Sequence, residues 1–344
     1  MVFEEFKQDK ELVSQLFSMP KIDSHAHLGR YYSGKPFYRM LESLSMKWLT
    51  VCWGGTRWQE LRQQIDTARK MHAEFPDRLV WATSFNLENW ESPDWEREAI
   101  ETVTEGFESG AIGVKVWKDI GMRLKDSDGS YVMIDDCRFD PVFYYIEKRD
   151  KTLIAHIGEP NSCWLPIDSI KISCDREYYS GHPEEHCYGK SEIPSHSKLV
   201  EGMDRVLEKH PRLRVVRCHL ASLESDIEKL ARRFTRYPNF AVDLAARIEH
   251  LQNQDQKKVR DFLIRFQDRI LYGTDIELDD RDQAVRREKL SKARETYLSD
   301  LIYFATDREI KVSEGEVALR GLSLPPDVLG KLFYTNAQNW YQDI

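Results

Sequence analysis

The chain has 344 residues, with 58 acidic against 50 basic side chains and a formal net charge of −8. Its hydrophobic share of 41% and charged share of 31% are those of an ordinary globular protein, which excludes wholesale disorder. Charges of both signs are interspersed without a basic stripe, which argues against a nucleic-acid partner, and no apolar run approaches the ~20 residues that span a bilayer.

The first ten residues carry early acids and no apolar stretch, so no leader peptide is expected and a cytoplasmic place is. The six cysteines are scattered without a CxxC pair, which fits a reducing compartment. Residues 1–18 are expected to form an extra N-terminal helix that covers the bottom of the fold. After Pro20 the run Ile22 to His27 reads as a short strand. Side chains at i and i+2 of a strand share a face, so His25 and His27 aim at one point, where a cation could take a nitrogen from each.

Apolar, β-branched runs then recur. The expected strands are Lys21–His25, Lys47–Trp53, Leu79–Phe85, Ile112–Trp117, Thr152–Ile157, Leu213–His219, Asn239–Leu244 and Ile270–Thr274. Amphipathic stretches lie between them, at Trp58–Phe75, Asp94–Ser109, Pro141–Arg149, Ser197–His210, Leu223–Tyr237 and Gln254–Gln267. Several end on a proline just before the next strand, as in Phe-Pro-Asp-Arg and Tyr-Pro-Asn. Eight strands alternating with helices predict an α/β protein, a (β/α)8 barrel filling residues 1–344 as a single domain.

The segment from Gly158 to Pro194 is too long for an ordinary connection and follows the fifth strand, so it is a candidate lid. It holds Cys174, His182, His186 and Cys187, but their spacing matches no common zinc site, and a surface loop is the expectation. The charged run Arg281–Glu309 and the segment to Ile344 are expected to close the barrel.

Ligand-type residues fall at strand ends. His25 and His27 end the first strand, Lys115 lies on the fourth, and His156 ends the fifth. His219 ends the sixth and Asp275 the eighth. Polar residues at the C-terminal ends of barrel strands are where such folds build their sites.

These residues resemble the amidohydrolase superfamily of metal-dependent (β/α)8 enzymes, whose pattern is His-x-His after strand one, histidines after strands five and six, and an aspartate after strand eight. All five match in order. Gly-Thr-Asp and the late Tyr-Thr-Asn-Ala-Gln-Asn-Trp-Tyr resemble the branch that holds aminocarboxymuconate-semialdehyde decarboxylase, other aromatic-acid decarboxylases and several lactonases. The resemblance implies a divalent cation, Zn2+ or another such as Mn2+, one or two per chain, held by His25, His27, His156, His219 and Asp275. Some members carry a carboxylated lysine on strand four that bridges two cations, and the Val-Lys context of Lys115 is similar. The other reading of Lys115 is a barrel lysine paired with a carboxylate such as Asp275.

Asp275 would then take a proton from water, and His219 would bind a second cation or act as acid and base beside the first. Arg30, Tyr31, Tyr32, Lys118 and Arg247 follow strand ends and could supply positive charge and hydrogen bonds for an anionic small-molecule substrate, with Trp53 and Trp164 as apolar walls. The leading expectation is a hydrolase of an amide, ester or lactone bond. A mononuclear decarboxylase of an unsaturated or aromatic acid is the alternative, and a silent barrel acting as a binding protein is the alternative of another class. A homo-oligomer is compatible with this composition.

Overall fold

The computed structural model describes residues 9–29, 34–53, 55–278, 283–310 and 319–344. Arg30, Tyr31 and Tyr32, and the first eight residues of the expected N-terminal helix, lie outside them. Eight parallel strands form at the expected places, with ends shifted by a few residues. They are β1 (Lys21–Leu28), β2 (Met46–Val51), β3 (Leu79–Thr83), β4 (Ala111–Val116), β5 (Thr152–Ala155), β6 (Arg214–Arg217), β7 (Phe240–Asp243) and β8 (Ile270–Leu271). Each pairs with its sequence neighbour. A further short strand, β9 (Glu277–Leu278), pairs with β1.

This last pairing closes the ring. The eighth strand breaks after Leu271, so that its first part bonds β7 while the rest bonds β1. Between them, the amide of Ser24 donates to the Tyr272 carbonyl at 3.0 Å, the Asp275 amide to the His25 carbonyl at 2.8 Å, and the His27 amide to the Ile276 carbonyl at 2.8 Å. The architecture is a (β/α)8 barrel.

Helices follow most strands where the amphipathic periods lie, among them Trp58–Glu74, Trp95–Glu108, Asp140–Lys148, His196–Lys209, Ile227–Arg236 and Gln256–Arg265. Asp226 and Asp255 cap two of them by accepting first-turn amides, and Ser195 caps a third. The run expected at Arg281–Glu309 is a helix over Gln283–Ala305. The segment after β5 is less irregular than expected. It contains the helix Ser173–Gly181 and a small apolar core of its own, made by Cys163, Ile170, Tyr179 and Cys187.

Strand alternation sorts the barrel into two layers. Ile22, Leu49, Val80, Ile112, Ile154, Val216, Ala241 and Leu271 pack inside the ring. Trp48, Leu79, Trp81, Leu153, Val215 and Phe240 pack outward against the helices. On a regular β1, an inward Ile22 would put Ser24 and Ala26 inside. A bulge between Asp23 and Ala26 resets the phase, and His25 and His27 face the ring instead. A second bulge in β4, where Ala111 and Val114 face Trp81 and Thr83, turns Val114 outward and Lys115 inward. Gly113 sits at that bulge, where a Cβ would lie 2.9 Å from the Thr152 carbonyl oxygen.

The bottom of the barrel differs from expectation in its N-terminal helix. The plug is C-terminal: Ala337, Trp340 and Tyr341 join the interior cluster, and the Asn336 amide group donates to the Gln267 and Ile270 carbonyls at 2.7 Å each. The helix Lys10–Ser18 packs instead against Gln283–Ala305. A two-sided apolar indole closes the ring better than an amphipathic helix whose outer face must stay wet. Trp340 is 8% exposed, and Trp340→Ala is expected to cost about 3–5 kcal/mol of stability in a denaturant titration; a loss under about 1 kcal/mol would show that the ring does not rest on this plug.

Candidate metal centre

Asp275, His25 and His27 converge at the C-terminal end of the ring. The Asp275 Oδ1 lies 3.0 Å from His27 Nε2 and 3.4 Å from His25 Nε2. The rings of His219 and His25 are 4.9 Å apart, and those of His156 and His219 are 4.2 Å apart. Five of the residues singled out in the sequence therefore meet in one place.

The orientation of the imidazoles is fixed from behind. Nδ1 of His25 bonds the Asp243 carboxylate at 2.8 Å, Nδ1 of His27 the Val51 carbonyl at 3.0 Å, and Nδ1 of His219 the Ala245 carbonyl at 2.8 Å. Each acceptor holds the proton on Nδ1 and leaves the Nε2 lone pair pointing into the site. Burial opposes protonation of the His25, His156 and His219 rings. It lowers His219 to about 3, pulls His156 well below its usual range, and with the Lys115 charge depresses His25.

Burial works to raise the carboxyl of Asp275, yet the facing His219, His27 and His25 hold it well below the carboxylate range. Asp243 is likewise held at about 2, against burial, by His25 and His219. The result is a cluster of imidazole nitrogens around an ionised oxygen. That donor set suits a borderline divalent cation, and the Nε2 of His156, shielded and without a partner among the described residues, is one more donor available to it.

Backbone strain is concentrated at the same place. His219, Leu220, Ala221 and Ser222 have φ of 59°, 53°, 62° and 58°, a left-handed turn of four consecutive residues. Such residues cost about 1–2 kcal/mol each. The turn is held by the Asp243 carboxylate accepting the His219 amide at 2.8 Å, and by His196 Nε2 donating to the Ser222 carbonyl at 2.7 Å. Asp275 is also left-handed, with φ of 67°. Beside it, Gly273 lets β1 approach, since a Cβ there would meet His25 Cβ at 3.0 Å. The buried Asp23 fixes the turn by accepting from Thr274 Oγ1 at 2.6 Å and Tyr297 Oη at 2.8 Å. Burial raises its carboxyl to about 6 against those bonds.

Lys115 is fully inside. Its Nζ lies 3.1 Å from His25 Nε2 and 2.8 Å from Cys218 Sγ, so its partners are an imidazole and a thiol, and the reading that paired it with a carboxylate is not what forms. The expected substrate cations also arrive paired. Lys118 bonds Glu159 and lies 4.0 Å from Glu185, and Arg247 Nε lies 4.0 Å from Glu224. Trp53 packs at a tilt against Trp117 at 4.5 Å, and Trp164, in the segment after β5, meets the His196 ring at 5.3 Å. In that segment His182 and His186 turn to the Tyr178 and Leu165 carbonyls, and Cys187 packs on Cys163, so no zinc cluster forms there among the described residues.

Sequence reasoning missed Asp243, Cys218, Asp23 and Glu159. Asp243 carried the one available signal, an acid at the end of an otherwise apolar strand in Phe-Ala-Val-Asp.

Among curated protein sequences none matches the chain. Solved structures share the fold across nearly the whole length. A 2,6-dihydroxybenzoate decarboxylase from Rhizobium is 16% identical, with a TM-score of 0.57 covering 94% of this chain and 98% of that one. A 5-carboxyvanillate decarboxylase from Sphingomonas paucimobilis is 14% identical, with a TM-score of 0.50 over 94% and 99%. A lactonase template engineered for organophosphate hydrolysis is 12% identical, with a TM-score of 0.51 over 96% and 97%. A family profile described as amidohydrolase matches residues 22–342, from the first barrel strand to the C-terminal plug, and the chain belongs to that amidohydrolase family.

Proposed function

We propose that the protein is a metal-dependent hydrolase that sets water on an amide, ester or lactone bond of a small anionic substrate. The observation that carries this is the approach of one ionised Asp275 oxygen to the inward Nε2 atoms of both His27 and His25. His25, His27 and Asp275, with His156, would hold Zn2+ or Mn2+. Such a cation polarises a carbonyl and makes water acidic near neutral pH.

The side chains do the rest. Asp275, kept ionised, accepts a proton at its carboxylate and returns it to the leaving group. His219 presents an unprotonated Nε2 beside it, able to accept a proton and give it back. Arg247 Nε makes no hydrogen bond among the described residues, only an ion pair with Glu224 at 4.0 Å, and is a donor that a substrate carboxylate could take. The segment 158–194 covers the end of the ring and limits water. Six free thiols support a cytoplasmic setting, and no helix of the described residues is long and apolar enough to cross a membrane.

A second reading has one observation in its favour. The Lys115 amine is gripped by His25 and Cys218, which leaves the convergent trio as a site for one cation. His219 is then free for proton transfer, and decarboxylation of an unsaturated or aromatic acid becomes the matching chemistry.

Elemental analysis decides between them. Two cations per chain, with one lost in Lys115→Ala and regained with bicarbonate or a short carboxylic acid, supports the bridged hydrolase. One cation per chain, unchanged in Lys115→Ala, removes the bridge and favours CO2 release over lactone opening in a substrate panel. In either case His25→Ala with His27→Ala should strip the metal from a folded barrel, and full retention of metal would refute the centre itself.

Asp243→Asn tests the support behind the ligands. It weakens the acceptor for His25 Nδ1 and for the His219 amide, so metal affinity measured by chelator competition should fall about 10–100-fold. An unchanged affinity would mean that the imidazoles need no such backing.

A further inference from the structure

The segment after β5 contains a second chemical feature that the metal centre does not use. Cys163 and Cys187 are both fully buried in its small core, against Ile170 and Tyr179. The Cys187 amide donates to the Cys163 carbonyl at 3.0 Å. One such bond keeps the two Cα atoms less than about 7 Å apart, within the reach of a disulfide. Both thiols also point at one acceptor, the Glu185 carbonyl, at 3.4 Å from Cys163 Sγ and 3.8 Å from Cys187 Sγ.

We propose that Cys163 and Cys187 are a redox pair that closes to a reversible disulfide on exposure to a peroxide and staples the segment covering the site. Cys187, beside the exposed Tyr188, is taken as the attacking sulfur. Its thiolate takes one oxygen from hydrogen peroxide, giving a sulfenic acid and releasing hydroxide. The Cys163 thiol then displaces that hydroxyl as water, so the S–S bond forms as the S–O bond breaks. Two thiols are oxidised by two electrons and one peroxide is reduced. A small oxidant has a short way in, because the next residue, Tyr188, is 54% exposed.

The staple reaches the site through Glu185. Its carbonyl accepts from both thiols, while its carboxylate bonds Arg123 and lies 4.0 Å from Lys118. Oxidation removes both S–H donors from that carbonyl and draws its two neighbours together. Glu185 must readjust, and with it the charge that Lys118 presents at the mouth of the ring. Reduced, the segment is held by packing, hydrogen bonds and ion pairs. Oxidised, it is closed by a covalent loop from 163 to 187.

The test uses the full-length reduced protein treated with hydrogen peroxide. Intact mass should fall by about 2 Da, the hydrogens lost on forming one disulfide. The thiol count after denaturation should drop by two from six, and a peptide map should join Cys163 to Cys187. Dithiothreitol should reverse all three. Trypsin cleavage at Lys171, Arg176 and Lys190 should slow several-fold on oxidation. Cys163→Ser and, separately, Cys187→Ser should abolish the cross-link, and Cys137→Ser should keep it. If either core variant fails to fold, the wild-type peptide map decides alone. Oxidation confined to sulfenic, sulfinic or sulfonic acids on the exposed Cys137 or Cys174, or a link between other cysteines, overturns the proposal. So does an unchanged cleavage rate in cross-linked protein.

Discussion

The carboxylate of Asp243 ties the site together. One oxygen takes the Nδ1 proton of His25 from β1; the other takes the backbone amide of His219 at 2.8 Å and that of Ala245 at 3.2 Å. Three strand ends are thus fixed by a single buried anion. It is stable as an anion only because those partners outweigh the cost of burial, which is why it stays ionised at about 2. Remove it, and His25 loses its tautomer while the left-handed turn at His219 loses an anchor that offsets its strain. The first and sixth strands would then present their imidazoles without a common frame.

The second constraint is parity. A barrel strand sends alternate residues inward, and both β1 and β4 start with an inward aliphatic, Ile22 and Ile112. Without the two bulges, Ser24, Ala26 and Val114 would line the site and His25, His27 and Lys115 would be lost among the helices. The extra residue in each strand switches the inner face from apolar filling at the bottom to chemistry at the top. β5, β6 and β7 need no such device, since an unbroken alternation from Ile154, Val216 and Ala241 already places His156, Cys218 and Asp243 inside.

Much of this was legible in the sequence. Eight apolar runs with helical spacers gave the barrel, and the histidines at their ends marked which end matters. The bulges were not legible, because a bulge depends on pairing with a neighbouring strand, and only Gly113 hinted at one. Nor were the partners of Lys118 and Arg247. Glu159 and Glu224 come from other strand ends, and a cation next to a strand looks bare until the chain between has folded. That the C-terminal segment closes the barrel was legible, but not that Trp340 and Tyr341 enter it, since only the open ring beneath them makes them interior residues.

The seam at the eighth strand sets the order of assembly. β1 emerges first and must wait for a segment some 250 residues later, as the bond between Asp23 and Thr274 shows with its separation of 251 positions. Closing so long a loop is slow and entropically late, whereas the neighbouring strands can pair as they appear. His25 and His27 lie on one side of that seam and Asp275 on the other. A ligand that engages all three therefore acts as a clasp on the last joint to form. It would slow opening of the ring far more than it speeds closing, so bound protein should resist unfolding longest at the very strands that meet last.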